Sequence, residues 1–367
     1  MEATRTRSQR ATSLELFFDL TFVFTVTQLT GLLADRADLR GVAMALLILM
    51  PTWWMYGGYV WLTNAVAPDR LKYRLLLLGG MGGFLVMALA IPTAFEGSGA
   101  TFAIGYAVVI VLHSGLYIAG SSDREAAAML SITPFNVGAA VLLLVGGVLG
   151  GDAQWALWIA ASALVWGTVI FRPPGPGFVI GPEHFAERHG LVIIVALGES
   201  IIAIGIGARG LPVDAALVSA ALAGLALAAT MWWTYFSDEQ YAERALADAP
   251  EERRPRIALG FSVTHFFLIA AIIAVAAGMK KVLEHPYDPL TEIAAAWLVF
   301  GLAIYLLADV AHRRVLGTGD GGVRVTIALL AWPLFWLGTE VAGAALVAGL
   351  ALLIALGLAI EGRQEVS

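Results

Sequence analysis

The sequence contains no cysteine in 367 residues. That excludes disulfides, thiolate metal sites and cysteine nucleophiles. Charge is also scarce: Asp, Glu, Lys and Arg make up 14% of the chain, against about 25% in a soluble domain. Positive charge is not in excess, because the formal net charge is −6 and the pI about 5.5. That balance argues against a nucleic-acid partner. No phosphate-binding loop is present. Gly79-Gly80-Met81-Gly82-Gly83 lacks the lysine such a loop needs. Gly205-Ile206-Gly207-Ala208-Arg209-Gly210 has dinucleotide-binding spacing but ends an apolar run instead of following a strand. What the chain does have is apolar surface. Hydrophobic residues make up 59% and the mean hydropathy is +0.81. A soluble fold cannot hide that much, so the expected solvent is a lipid bilayer.

Apolar runs between polar breaks predict twelve transmembrane helices. They cover residues 14–33, 41–62, 75–95, 101–120, 128–150, 154–171, 188–207, 215–237, 257–278, 292–312, 324–338 and 341–360. The eleventh is short and holds Pro333, so the last two could be one broken segment. The predicted fold class is an all-α, polytopic bundle forming one membrane domain, with no stretch left for a soluble catalytic domain. The first ten residues are basic, like the start of a signal peptide. The apolar run after them is too long for a signal core and carries Glu15 and Asp19, so a retained first helix is expected.

Charge orients the bundle. With the N-terminus inside, 17 of the 22 Lys and Arg residues fall on the cytoplasmic side, as the positive-inside rule requires. Arg188, Arg313 and Arg324 count among them. Arg36, Arg40, Arg209, Lys280 and Lys281 fall outside. The expectation is a multi-pass protein with both termini cytoplasmic.

The chain also looks duplicated. Trp53-Trp54-Met55-Tyr56 in the second span matches Trp232-Trp233-Thr234-Tyr235 in the eighth. Glu15 and Glu187 stand at the start of the span before each pair, and Tyr117 and Tyr305 sit in equivalent later spans. Their order predicts two parallel six-helix repeats, about 1–180 and 181–367. Transporters built of parallel repeats place sites at the repeat interface.

Ionisable groups inside the spans mark candidate sites, because a charge at the bilayer centre costs at least about 2.5 kcal/mol. Glu199 lies eleven residues after Arg188, about 16 Å along the helix, near the expected midplane. With Ser200 it is the leading proton or cation site; the alternative is a protonated carboxyl that only ties helices together. Glu15 and Asp19 are four apart on one helix face, and Gln28 continues a polar strip beyond them. Glu15 could equally serve as a helix cap. His265 lies deep in the ninth span, and Asp309 is followed by His312 in the tenth. His113 reads as a packing histidine. The loop and helix start Glu183-His184-Phe185-Ala186-Glu187-Arg188-His189 suggest an inner gate through His184, Glu187, His189 and Asp309. They lack the spacing of a two-histidine metal motif. No metal and no cofactor are expected.

Two segments carry a family resemblance. One is Leu14-Glu15-Leu16-Phe17-Phe18-Asp19-Leu20, running to Thr27-Gln28-Leu29. The other is Glu187-Arg188-His189-Gly190-Leu191, running into Ala196-Leu197-Gly198-Glu199-Ser200-Ile201. Trp53-Trp54-x-Tyr56, Trp61-Leu62-Thr63-Asn64 and Met87 to Phe95 extend the pattern. The chain resembles the bacterial low temperature requirement A family. The resemblance implies a multi-pass membrane protein named for a cold-growth phenotype. It places the family's polar positions at Glu15, Asp19, Gln28, Asn64, Glu187, His189, Glu199 and Ser200. Thr21 and Thr25 depart from the usual aliphatic or small residues, and the C-terminal third matches less clearly.

Four functions stay open on the sequence. A secondary transporter coupled through Glu199 leads, moving an unidentified small solute or cation. A cation channel is second: Phe17-Phe18-Asp19 is similar to the Phe-Ser-Asp opening of potassium channels with six-helix repeats, but no selectivity filter is visible. An intramembrane lipid-modifying enzyme would use Glu187, His189 and Glu199 as acid–base residues, yet no nucleophile elbow or metal triad supports it; no enzymatic activity is expected. A membrane sensor or scaffold linked to low-temperature growth is the fourth, with the charged loop 237–255 as a partner surface. The lipid bilayer is the one partner the composition names; oligomeric state is not readable.

Overall fold

In the computed structural model, residues 11–175, 177–319 and 321–364 are described. The expected basic residues Arg5, Arg7 and Arg10, and Pro176 of the proline-rich loop, lie outside them. The described residues form helices and no strands. In chain order these are α1 (Ser13–Asp35), α2 (Leu39–Ala65), α3 (Leu71–Ala90), α4 (Gly99–Gly120), α5 (Asp123–Leu149), α6 (Gly151–Phe171) and α7 (Pro182–Gly207). They continue with α8 (Ala215–Phe236), α9 (Glu239–Ala247), α10 (Arg254–Glu284), α11 (Glu292–Leu316), α12 (Gly322–Leu330), α13 (Leu334–Glu340) and α14 (Gly343–Gln364). Among the described residues, 12 segments are long and apolar enough to cross a membrane. α8 and α9 together make one of them, and α12 and α13 another.

The helix ends follow from local chemistry. Thr12 opens α1 as a capping box: its N–H and hydroxyl donate to Glu15 Oε2 at 2.8 and 2.7 Å, and its oxygen accepts the Glu15 N–H. Ser122 and Glu125 repeat the device at α5. Asp214 and Thr291 cap α8 and α11. The eleventh and twelfth spans are separate, and the eleventh is itself broken between Leu330 and Leu334. Pro333 explains the break, since it has no N–H and its ring blocks the preceding turn.

The described chain divides into two compact units. The first holds Met1–Leu29, Ala43–Leu191 and Glu243–Ser262; the second holds Thr30–Val42, Val192–Ala242 and Val263–Ser367. Within the first, α3, α4, α5 and α6 pack in succession. The glycine run on α3, unsuited to phosphate, serves this packing. A Cβ on Gly83 would meet Gly105 O at 3.0 Å, and one on Gly105 would meet Gly83 O at 2.9 Å. Small residues let membrane helices approach this closely. Within the second unit, α14 packs on α8, α12 and α13, and α11 on α12 and α13.

Two sequence boundaries need correction. The seventh span begins at Pro182, six residues before the expected start, because the Glu183–His189 segment is helical rather than a connector. The ninth extends to Glu284, so Lys280 and Lys281 lie on α10 instead of in an outer loop. There Lys280 pairs with Asp35 and Lys281 with Glu284.

Candidate functional site

The first unit gathers the polar residues of α1 and the start of α7. Glu15 and Asp19 stand one turn apart on α1; His184 and Arg188 stand one turn apart on α7. The two i,i+4 faces match. Arg188 Nη2 lies 2.6 Å from Asp19 Oδ1, and Arg188 Nη1 lies 3.3 Å from Glu15 Oε1. His184 Nε2 lies 2.8 Å from Glu15 Oε1. Tyr56 of α2 donates its hydroxyl to Asp19 Oδ1 at 2.9 Å. Glu15, Asp19 and Arg188 are each 1% exposed and Tyr56 is 0% exposed. An aromatic wall from α1, α2 and α3 stands beside the cluster: Phe18 stacks on Tyr59, Phe22 meets Tyr56 at a tilt, and Phe84 meets Phe18 edge-on.

Residues around the cluster hold the start of α7. Asn64 Oδ1 accepts the Gly181 N–H at 2.9 Å. Glu187 Oε2 accepts the Ala11 N–H at 2.6 Å. His189 Nδ1 donates to Phe185 O at 2.9 Å, and Ser262 Oγ lies 3.5 Å from its Nε2. Of the expected inner-gate residues, His184, Glu187 and His189 are therefore brought to one helix start. His113 donates from Nε2 to Gly58 O and packs between Tyr59 and Tyr117.

The second unit holds its own ionic network. Arg324, 1% exposed, is its centre. Its guanidinium pairs with Asp309 and with Glu361, the latter at 3.2 Å. It also reaches Asp238 at 3.2 Å and donates to Ser237 Oγ at 2.9 Å. Arg313 joins through Asp238 at 2.8 Å. One turn from Asp309, His312 packs against His265, with ring centroids 4.9 Å apart, and Thr264 Oγ1 is 3.2 Å from His312 Nδ1. Tyr235 OH lies 2.7 Å from His265 Nε2. Asp309 is thus a member of an ion-pair network, and His265 a member of an aromatic cluster with Tyr235.

Glu199 and Ser200 also belong to the second unit and are 1% and 2% exposed. The Ser200 hydroxyl is buried with no hydrogen-bond partner among the described residues. Glu199 is eight residues from the end of α7, about 12 Å at the helical rise. Its depth was counted from Arg188 as a surface marker; because Arg188 is buried, the count moves Glu199 into the C-terminal half of the helix. Gln28 is half-buried on α1. Among the described residues, no group of three or more His, Asp or Glu side chains has metal-holding geometry.

Arg188, Tyr56, Arg324 and Glu361 are partners that sequence reasoning missed. Arg188 and Arg324 were counted as cytoplasmic loop charges. The available signal was the second i,i+4 pair: His184 and Arg188 repeat on α7 the spacing of Glu15 and Asp19 on α1.

A sequence model of the bacterial low temperature requirement A protein (LtrA) matches residues 10–360. An uncharacterized protein of Rhizobium meliloti (strain 1021) is 30% identical over 329 residues, covering 84% of this chain and 78% of that protein. With twelve candidate spans and a match over nearly its whole length, the chain is a multi-pass membrane protein that belongs to the bacterial low temperature requirement A family.

Proposed function

We propose that the protein is a secondary permease of the bacterial plasma membrane, with both termini cytoplasmic, coupled to a proton or a cation. The observation that carries the reading is Glu199: a carboxyl 1% exposed inside an apolar span. Intramembrane carboxyls of this kind mark ion pathways. Ser200 beside it offers a buried hydroxyl. Glu15 and Asp19 take a different part from Glu199. Arg188 holds both, which suits a gate at the start of α7 better than an exchanging group. The two Trp-Trp-x-Tyr segments support a duplicated architecture of about 1–180 and 181–367. In both, the tyrosine hydroxyl bonds an ionisable side chain, Asp19 or His265.

The test is flux in sealed proteoliposomes, with a pH-sensitive and a cation-sensitive dye read side by side. Wild type should move one of the two ions under an imposed gradient, and Glu199→Gln should abolish the movement while leaving the protein folded. Undiminished flux in Glu199→Gln would remove Glu199 from the mechanism.

A further inference from the structure

The α1–α7 cluster does not balance its charge. Two carboxylates, Glu15 and Asp19, face one guanidinium, Arg188, and all three are 1% exposed. A buried net charge is strongly unfavourable. Among the described residues, other groups near the cluster do not correct the count. Tyr56 and Thr12 are neutral donors to Asp19 and Glu15. Glu187 is committed to the Ala11 N–H, and His189 is bonded to Phe185 O on its own helix. Glu183, half-buried on the first turn of α7, could only add negative charge. That leaves the imidazole of His184, 2.8 Å from Glu15.

The atoms of His184 suit the task. Its Nε2 faces a carboxylate oxygen, so Nε2 carries a hydrogen. Its Nδ1 is buried and has no hydrogen-bond partner among the described residues. In the neutral ring that nitrogen is a bare lone pair. Asp19 Oδ2 is a second buried atom without a donor among the described residues, but Asp19 Oδ1 lies 2.6 Å from the Arg188 guanidinium, and a cation this close favours the ionised carboxylate. Among the described members of the cluster, His184 Nδ1 is then the basic atom left to take a proton. We propose that Glu15, Asp19, His184 and Arg188 form a proton-binding site, in which one proton from the aqueous phase is accepted on His184 Nδ1. One N–H bond forms and the donor water or buffer keeps its electron pair. The result is two neutral ion pairs, His184 with Glu15 and Arg188 with Asp19. The side chain of His184, 9% exposed where the other members are 1%, gives the proton its way in. The site's part in coupling rests on the permease reading; its occupancy does not.

The test uses the full-length protein in lipid nanodiscs with nitrogen-15-labelled histidine. His184 is assigned by the signal lost in His184→Gln. At neutral pH wild-type His184 should show imidazolium shifts. In Asp19→Asn, where one guanidinium faces one carboxylate, it should show neutral-ring shifts. A second measurement needs no histidine variant. Asp19→Asn removes a negative charge and releases a proton, so the net charge of the folded protein, read from electrophoretic mobility, should equal that of wild type. A neutral His184 in wild type, or a one-charge mobility shift in Asp19→Asn, overturns the proposal. So does a protonated-carboxyl infrared band lost in Asp19→Asn, which would put the proton on Asp19. A charged His184 in a protein without flux would sink the permease reading alone; a neutral His184 in an actively transporting protein would sink this site alone.

Discussion

Replacing Arg188 with methionine keeps most of the side-chain volume and removes the only guanidinium among the described residues that faces Glu15 and Asp19. At an effective dielectric of about 20, contacts of 2.6 and 3.3 Å are each worth about 5–6 kcal/mol of Coulomb energy before desolvation. Desolvating the buried guanidinium takes back several kcal/mol. Removing one partner of a buried pair costs about 3–5 kcal/mol by experience. There is also an escape route: the variant can protonate a carboxyl. For a carboxyl of ordinary acidity that costs about 4 kcal/mol at neutral pH, from the distance between its reference pKa and pH 7 at 1.36 kcal/mol per unit. The two estimates agree, so Arg188→Met should lose about 4 kcal/mol of unfolding free energy. The escape route also fixes a pH signature. Protonation becomes easier by about 1.4 kcal/mol per pH unit on acidification, so the deficit against wild type should shrink as pH falls. Adding Glu15→Gln and Asp19→Asn to Arg188→Met removes the stranded charges and should recover most of the loss. The assay is reversible unfolding in mixed micelles across a pH series. A deficit below about 1 kcal/mol, or one that grows on acidification, would refute the ion-pair account.

Other outcomes follow from single contacts. Tyr56→Phe deletes a hydrogen bond to an ionised carboxylate and should cost about 1.5–3 kcal/mol in the same unfolding assay. Gly83→Ala would put a Cβ 2.7 Å from Val109 Cγ2 and 3.0 Å from Gly105 O. Overpacking there should cost about 1–3 kcal/mol, whereas Gly82→Ala on the same helix, which meets nothing within 4 Å, should melt no lower than wild type.

The span count was legible because hydrocarbon imposes length and apolarity on every crossing segment. The start of α7 was not. Its residues Glu183 to Arg188 look like a polar connector when charge alone is scored, and only the pairing of His184 and Arg188 with α1 makes them tolerable inside a helix. For the same reason Glu15 and Asp19 were legible as buried groups while their partner was assigned to solvent. Asp309 was found by depth, but Arg324 and Glu361, 15 and 52 residues further on, were not. No spacing in the sequence links Asp309 to Arg324 or Glu361. The glycine run on α3, excluded from phosphate binding by its missing lysine, is a packing device that only the close approach of Gly83 to Gly105 reveals. The tryptophan pairs diverge in a way composition cannot reveal: Trp53 is 2% exposed, while Trp232 and Trp233 are 45% and 63% exposed.

The carboxyl of Glu15 serves two masters. Oε2 holds the Thr12 cap that starts α1, and Oε1 holds His184 near the start of α7. Fraying of the first turn of α1 therefore loosens His184, and a displaced His184 frees the carboxyl to leave its cap. The two helix starts open or stay shut as one cooperative element of local stability, so an event at either is felt at the other without any motion of the spans between.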